Sequence, residues 1–435
     1  MTTNFTSSPR ESLPSTSSTA STAATAATAF TPAASAQESL TALPRAAKRL
    51  LALLERIPRG QLSVTGPAGF ERVFGQGGDG VQAQIHIQDW RMCQETLRFG
   101  DIGFAESYFK EYWQTSDLTA LLNFLLINRH AVEEALYGAW WGRLAFSIKH
   151  FFNRNTKSKS PKNIQAHYDL GNAFYTLWLD AGMNYSSAWF NGNTAQDLAQ
   201  AQLAKTRRAL RMVGLGNSAG LRLLEIGCGW GALAETASLE FGAQVCGVTL
   251  SVEQLKYAQD RMAAAGVQAD LRLQDYRDIP GQAQFDAVCS IEMMEAVGRT
   301  YWGEYFSTIH RQLKPGGLAC IQTIVIADQF YDRYVKGSDF IQEYIFPGGF
   351  LPSPQAFRQE AAKAGFFVVD AFEFGQDYAH TLKLWAERFE AVKARVKTLG
   401  FDDRFERIWQ FYLAYCEAAF TQGSTNVIQF TLKKI

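Results

Sequence analysis

Five short apolar runs punctuate the second half of the chain: LRLLEI (221–226), AQVCGVTL (243–250), DLRLQD (270–275), FDAVCSI (285–291) and GLACIQTI (317–324). Helix-like stretches of roughly 10–20 residues separate them. Apolar runs without alternation suit strands covered on both faces, and a strand-helix rhythm suits a parallel sheet between helices. The pattern therefore predicts an α/β domain over residues 163–435.

The first part reads differently. Residues 1–38 are rich in Ser, Thr and Ala with almost no large apolar side chains. Such a composition buries too little surface to offset ordering entropy, so a disordered tail is expected. It also lacks the cationic start and apolar block of a secretory signal. Residues 39–150 mix short strand-like and helical segments, including QAQIHIQD and ALLNFLLINRH, and predict a smaller α+β domain. Its opening, LPRAAKRLLALLERIPRG, places Leu50, Leu51, Leu53 and Leu54 on one helical stripe, with Arg45, Lys48, Arg49 and Arg56 on other faces. Such a helix suits anionic lipid or its own domain's core equally well. NRNTKSKSPKN supplies a polar, basic linker over 151–162.

Composition narrows the classes. Lys plus Arg number 42 and Asp plus Glu 42, so no overall field favours nucleic acid. Six cysteines without a C-x-x-C and six histidines without a close H-x-x-x-H argue against a metal site or disulfide framework, and point to a reducing cytoplasm. The longest apolar run, LTALLNFLLIN (118–128), is too short to cross a bilayer, which leaves a soluble or peripheral protein. The 31 Phe, 16 Tyr and 10 Trp supply either ordinary packing or an apolar, cation-stabilising cavity.

Candidate chemistry starts where the first apolar run ends. EIGCGWGALAE sets Gly227, Gly229 and Gly231 at alternate positions before a helix, with Glu225 two residues ahead of the first glycine. Glycines there allow a sharp turn and close approach to a ligand, although a plain structural turn needs them too. Thr249 and Leu250 close the second run, with Ser251 and Gln254 just after it; Gln274 and Asp275 close the third, with Tyr276 next. Strand carboxyl ends are where ligands of open α/β sheets gather. The set looks like a class I S-adenosylmethionine (AdoMet) methyltransferase, a Rossmann-like fold, in which Glu225 would anchor a cationic amino-acid group. Many such enzymes end the second strand with an acidic residue for the ribose; here only Thr249, Ser251 and Gln254 are available.

Further segments occur in order: NIQAHYDLGNAFYTLWLD, MNYSSAWF, EIGCGWG, VTLSVEQ, FDAVCSIEMMEAVG, YIFPGGFLPS and HTLKLWAERF. Together they resemble the cyclopropane fatty acid synthase family, over roughly 163–430 and more loosely through FGDIGFAESYFKEYW in the first domain. The resemblance implies methyl transfer from AdoMet to a cis double bond of an unsaturated phospholipid acyl chain. The resulting carbocation loses a proton and closes to a cyclopropane. It also implies a cytoplasmic enzyme working at the inner membrane surface, and a homodimer. Tyr168, Tyr185 and Ser186 join the expected cofactor residues. Tyr168, Tyr185, Trp189, Phe340, Tyr344, Phe346 and Tyr378 are candidate aromatic walls for the cation.

In that family a bicarbonate ion, held by Cys, Glu, His and Tyr side chains, accepts the proton. By position the Glu is Glu295 and the Tyr is Tyr378, while Ser187 stands for the Cys and Gln322 for the His. Glu292 stands where the best-known members have glycine. If Glu292 and Glu295 both face the pocket, one has a raised pKa and serves as the base itself; Glu292 is otherwise a turn residue facing solvent. Altered proton removal would divert the cation to a methylene or methyl-branched chain. A small-molecule methyltransferase is the rival that shares only the AdoMet loop.

Overall fold

A computed structural model describes residues 43–131 and 170–435, apart from 79, 217 and 218. The serine-rich tail, the WWGRLAF segment, the 151–162 linker and Tyr168 lie outside the described residues.

Helix α1 (Arg45–Leu54) buries Ala47, Leu51, Leu53 and Leu54, so its apolar stripe faces the protein core. Strands β1 (Gln61–Gly66), β2 (Phe70–Phe74) and β3 (Gln82–Ile87) follow, then helices α2 (Arg91–Phe99) and α3 (Asp101–Phe109), the short strand β4 (Trp113–Gln114) and helix α4 (Leu118–Ile127). These strands form one sheet in the order β2-β1-β3-β4, with β1 parallel to β3. Helix α4 starts where the Asp117 carboxylate accepts from the Ala120 N–H, the usual acidic N-cap.

After the single turn α5 (Asn172–Tyr175), the second half runs α6 (Leu198–Met212), β5 (Arg222–Ile226), α7 (Ala232–Phe241), β6 (Gln244–Thr249), α8 (Val252–Ala265), β7 (Asp270–Leu273) and β8 (Phe285–Ile291). It continues with α9 (Trp302–Gln312), β9 (Leu313–Ile326), α10 (Asp328–Tyr334), a π-helical turn (Ile341–Ile345), α11 (Pro354–Lys363), β10 (Phe366–Glu373), α12 (Gly375–Thr398), α13 (Asp403–Thr421) and β11 (Thr425–Lys434). The five apolar runs become β5 to β9, as expected. They form the parallel part of a seven-stranded sheet ordered β10-β11-β9-β8-β5-β6-β7, and β11 runs antiparallel to β9 and to β10. Strand order reverses between β5 and β8, and a crevice opens there at the strands' carboxyl ends.

The two halves share one hydrophobic core. Leu62, Phe104 and Phe124 from the first half belong to the same buried cluster as Trp178, Trp385 and Phe411 from the second. Phe104 and Phe109 both meet the Phe411 ring edge-on, and Thr119 donates to the Glu417 carboxylate 3.1 Å away. Among the described residues, no helix is long and apolar enough to cross a membrane.

Candidate active site

The glycine turn after β5 needs its glycines for two distinct reasons. Gly227, Gly229 and Gly231 all have positive φ, at 82°, 50° and 86°. A Cβ on Gly227 would lie 2.9 Å from the Met293 side chain, and one on Gly231 would press on Ala258 at 3.0 Å. A Cβ on Gly229 would meet open space, so its requirement is conformational. Above this turn lies a cavity of about 170 Å³.

Tyr185, Ser186, Glu225, Gly227, Gly229, Thr249, Leu250, Gln254, Gln274 and Tyr276 line that cavity, bringing together most of the residues expected to hold AdoMet. Three expected ligands stand outside that lining. Gly231 backs onto α8, and the Ser251 hydroxyl caps α8 by accepting from Gln254 N–H at 3.3 Å. Asp275 is buried against the Arg277 guanidinium, with an Nε–Oδ1 distance of 2.9 Å. Each follows from its position at a strand end, where caps and ligands draw on the same residue types.

Two buried ionisable side chains mark this cavity. One carboxylate oxygen of Glu225 has no partner although the side chain is buried, and burial raises its pKa well above the usual range. Lys205 on α6, 2% exposed, donates to the Ser186 hydroxyl at 2.7 Å. Burial lowers its pKa to about 8, against the pull of Glu292, Asp180 and Glu225. The HYDLGN segment contributes Asn172, whose side-chain oxygen accepts from the Trp230 indole N–H at 2.7 Å and steadies the glycine turn.

A second cavity, of about 620 Å³, adjoins the first. Its walls include Tyr185, Phe346, Phe350, Tyr378, Leu382 and Tyr412, and residues Phe99, Ile102 and Leu126 from the first half close one flank. Of the expected aromatic wall, Tyr185, Phe346 and Tyr378 are there. Trp189 instead packs edge-on against Phe372, Phe340 is fully buried against Phe109 and Phe411, and the Tyr344 phenol donates to Glu106. Tyr185, Glu292 and Ala296 line both cavities, so the two meet at a carboxylate.

Glu292 is not a turn residue aimed at solvent. The turn after β8 holds it at φ 49°, an unusual conformation for a side chain of its size. Its Oε1 accepts from the Ser187 backbone N–H at 2.8 Å and from Gln322 Nε2 at 2.6 Å, and its Oε2 accepts from the Tyr378 phenol at 2.6 Å. Ser187 therefore contributes its backbone; its hydroxyl donates to the Ala188 carbonyl at 2.9 Å. Glu295 sits one turn on. Its Oε1 accepts from the Thr323 hydroxyl at 2.9 Å and from the Ile324 N–H, while its buried Oε2 has no partner.

These surroundings separate the two carboxyls. Burial, then the charge of Glu292, pushes the Glu295 pKa up to about 8. Burial also raises Glu292, but Tyr378, the Ser187 amide, the Lys205 charge and Gln322 oppose the rise. Both carboxyls are raised by burial, but four groups hold back the rise of Glu292 while the Glu292 charge adds to that of Glu295.

The family model described as mycolic acid cyclopropane synthetase matches residues 155–430. The chain belongs to this family. It is 39% identical over 358 residues to the tuberculostearic acid methyltransferase UfaA1 of Mycobacterium tuberculosis, covering 80% of this chain and 82% of that one. It is 34% identical to the cyclopropane-fatty-acyl-phospholipid synthase of Escherichia coli K12, over 81% and 88% of the two chains. Among solved structures, the mycolic acid cyclopropane synthase CmaA1 complexed with SAH and CTAB superposes with a TM-score of 0.59 at 32% identity, over 63% of this chain and 98% of that one. An AdoMet-dependent methyltransferase of this family explains the glycine turn and the unpartnered Glu225 oxygen beside it. The lining of the smaller cavity suits AdoMet, because the glycine turn admits a close ligand and the buried Glu225 oxygen can take an ammonium group. Bicarbonate fits less well, because Gln322 and Tyr378 already donate to the Glu292 carboxylate and the Ser187 hydroxyl to the Ala188 carbonyl.

Proposed function

We propose that this enzyme transfers the methyl group of AdoMet to a cis double bond in an unsaturated phospholipid acyl chain, and that Glu292 accepts the proton then lost. The observation carrying this reading is the junction of the two cavities at Glu292. AdoMet, when bound, supplies an electrophilic methyl group. An alkene is a weak nucleophile, so the protein's part is to align the two partners and exclude water. The apolar cavity holds the acyl chain, while Tyr185 and Phe346 face the developing cation with their ring surfaces.

The position of Glu292 selects the proton. Lining both cavities, it lies beside the carbon that has just arrived, rather than further along the chain. When a C–H bond of that new methyl breaks, its electron pair closes onto the cationic carbon and gives a cyclopropane, and the proton goes to Glu292. Glu295, protonated below about pH 8, leaves one negative charge facing the cation. Cyclopropanation is the first product expected. A methylene-bearing chain is the second reading, favoured by the acceptor being a fixed side chain and by the tuberculostearic relative; there a hydride shift precedes loss of the same proton.

Trideuteromethyl AdoMet tests the assignment. With oleoyl phospholipid, mass spectrometry should find two of the three deuteriums retained in the product. Retention of all three overturns the proton assignment, and methylation of a water-soluble acceptor with no reaction on the lipid overturns the substrate class. Mild hydrogenation then separates the products, since a methylene chain takes up hydrogen and a cyclopropane does not.

A further inference from the structure

Behind Glu292 a line of side chains crosses the sheet. Gln322 on β9 faces Gln429 on β11 as a direct cross-strand pair, and neither has any exposed surface. Gln429 Nε2 donates to Gln322 Oε1 at 3.0 Å and also reaches the Lys205 carbonyl at 3.2 Å. Arg208 on α6 donates from Nη1 to Gln429 Oε1 at 2.8 Å and from Nη2 to Asp370 Oδ2 on β10, also at 2.8 Å. Its guanidinium lies 3.9 Å above the Phe372 ring, which fixes its plane.

A primary amide can present either its oxygen or its nitrogen, and the two ends have opposite effects on a neighbouring carboxyl. An NH₂ stabilises the carboxylate; a carbonyl oxygen stabilises the protonated acid. Arginine breaks this symmetry, because a guanidinium donates and never accepts. With Arg208 donating to one end and the Lys205 carbonyl accepting at the other, Gln429 must turn its oxygen outward and its NH₂ inward. Gln322 must then turn its oxygen to Gln429 and its NH₂ to Glu292, as the 2.6 Å contact shows.

We infer that Arg208 and Gln429 are positioning residues that set the protonation state of Glu292 from across the sheet, by dictating which end of the Gln322 amide faces it. The inference rests on the reading of Glu292 as proton acceptor. Other titratable groups around that carboxylate are Lys205 on α6, Glu225 on β5, Glu295 in its own turn, Tyr378 on α12 and Tyr185. The variants below leave all of them in place. The relay acts through direction as well as charge, so a lysine at 208, also donor-only, preserves it, whereas a glutamine at 208 can flip and does not.

The test is the pH profile of kcat with unsaturated phospholipid vesicles. In Gln429→Leu and Arg208→Gln the acid limb should move up by about one pH unit, an activity loss of about tenfold near pH 6 that is recovered at alkaline pH. Arg208→Lys should keep the parent limb, and S-adenosylhomocysteine affinity should be unchanged throughout. Should Gln429→Leu fail to fold, the Arg208 pair carries the test alone. A limb that stays in place, or a uniform loss at every pH, overturns the relay. Glu292→Gln separates the two ideas: full turnover in that variant defeats the proton-acceptor reading, whereas a dead Glu292→Gln beside unshifted relay variants defeats the relay only.

Discussion

The Tyr378 phenol donates to the Glu292 carboxylate at 2.6 Å, joining α12 to the turn after β8 across 86 residues of chain. A donor to the charged form lowers the pKa of an acid, so its removal must raise it. Tyr378→Phe should therefore shift the acid limb of kcat upward and reduce turnover near neutral pH by about ten- to a hundredfold, the worth of one hydrogen bond to a charge. Stopped assays over a pH series check this, with S-adenosylhomocysteine affinity as the control.

Glu292→Gln keeps shape and loses the proposed proton acceptor. Turnover should fall by about two to four orders of magnitude, the usual contribution of a general base. Cofactor affinity, measured by calorimetry, should remain. In the parent enzyme, rates in bicarbonate-depleted buffer should equal those with bicarbonate added, because Ser187, Gln322 and Tyr378 already hold a carboxylate.

Glu295 makes stability depend on pH. Its folded pKa is about 8, against about 4.3 in an unfolded chain. Below the lower value both states carry the proton, and nothing is lost. Between the two, the unfolded chain releases the proton while the folded one keeps it, so stability falls as pH rises and levels off above about 8. Glu295→Gln removes this term. The melting temperature of that variant relative to the parent should rise steadily between about pH 5 and pH 8, as calorimetry would show.

Ala419 lines the 620 Å³ cavity on α13. Ala419→Phe places a ring where the acyl chain is proposed to run, so turnover of long unsaturated chains should drop by at least about tenfold while shorter ones are spared. Competition between phospholipids of different acyl length, analysed by mass spectrometry, measures the change.

How much of this was readable in advance depends on how far apart the partners lie. The apolar runs carry β5 to β9, since strands buried on both faces have no polar alternation to obscure them. Glu225 and the glycine turn were readable because they are contiguous. Gly231, Ser251 and Asp275 fall among the expected ligands because helix caps and cofactor contacts use the same residue types at the same strand ends, and in the structure they stand outside the cavity lining. Glu292 stayed ambiguous, since its three donors lie 105, 30 and 86 residues away. Lys205 was missed altogether: a lone lysine in LAQAQLAKTRRALRM looks like a solvated helix face, and only its enclosure by Ser186, Glu225 and Glu292 reveals otherwise.

The larger cavity borrows one flank from the opposite end of the chain, through Phe99, Asp101, Ile102, Leu126 and Arg129. The first half of the protein is thus a wall of the cavity proposed to hold the acyl chain. On that proposal the wall keeps solvent from a cation formed beside Glu292, and a leak through it would yield an alcohol in place of the hydrocarbon.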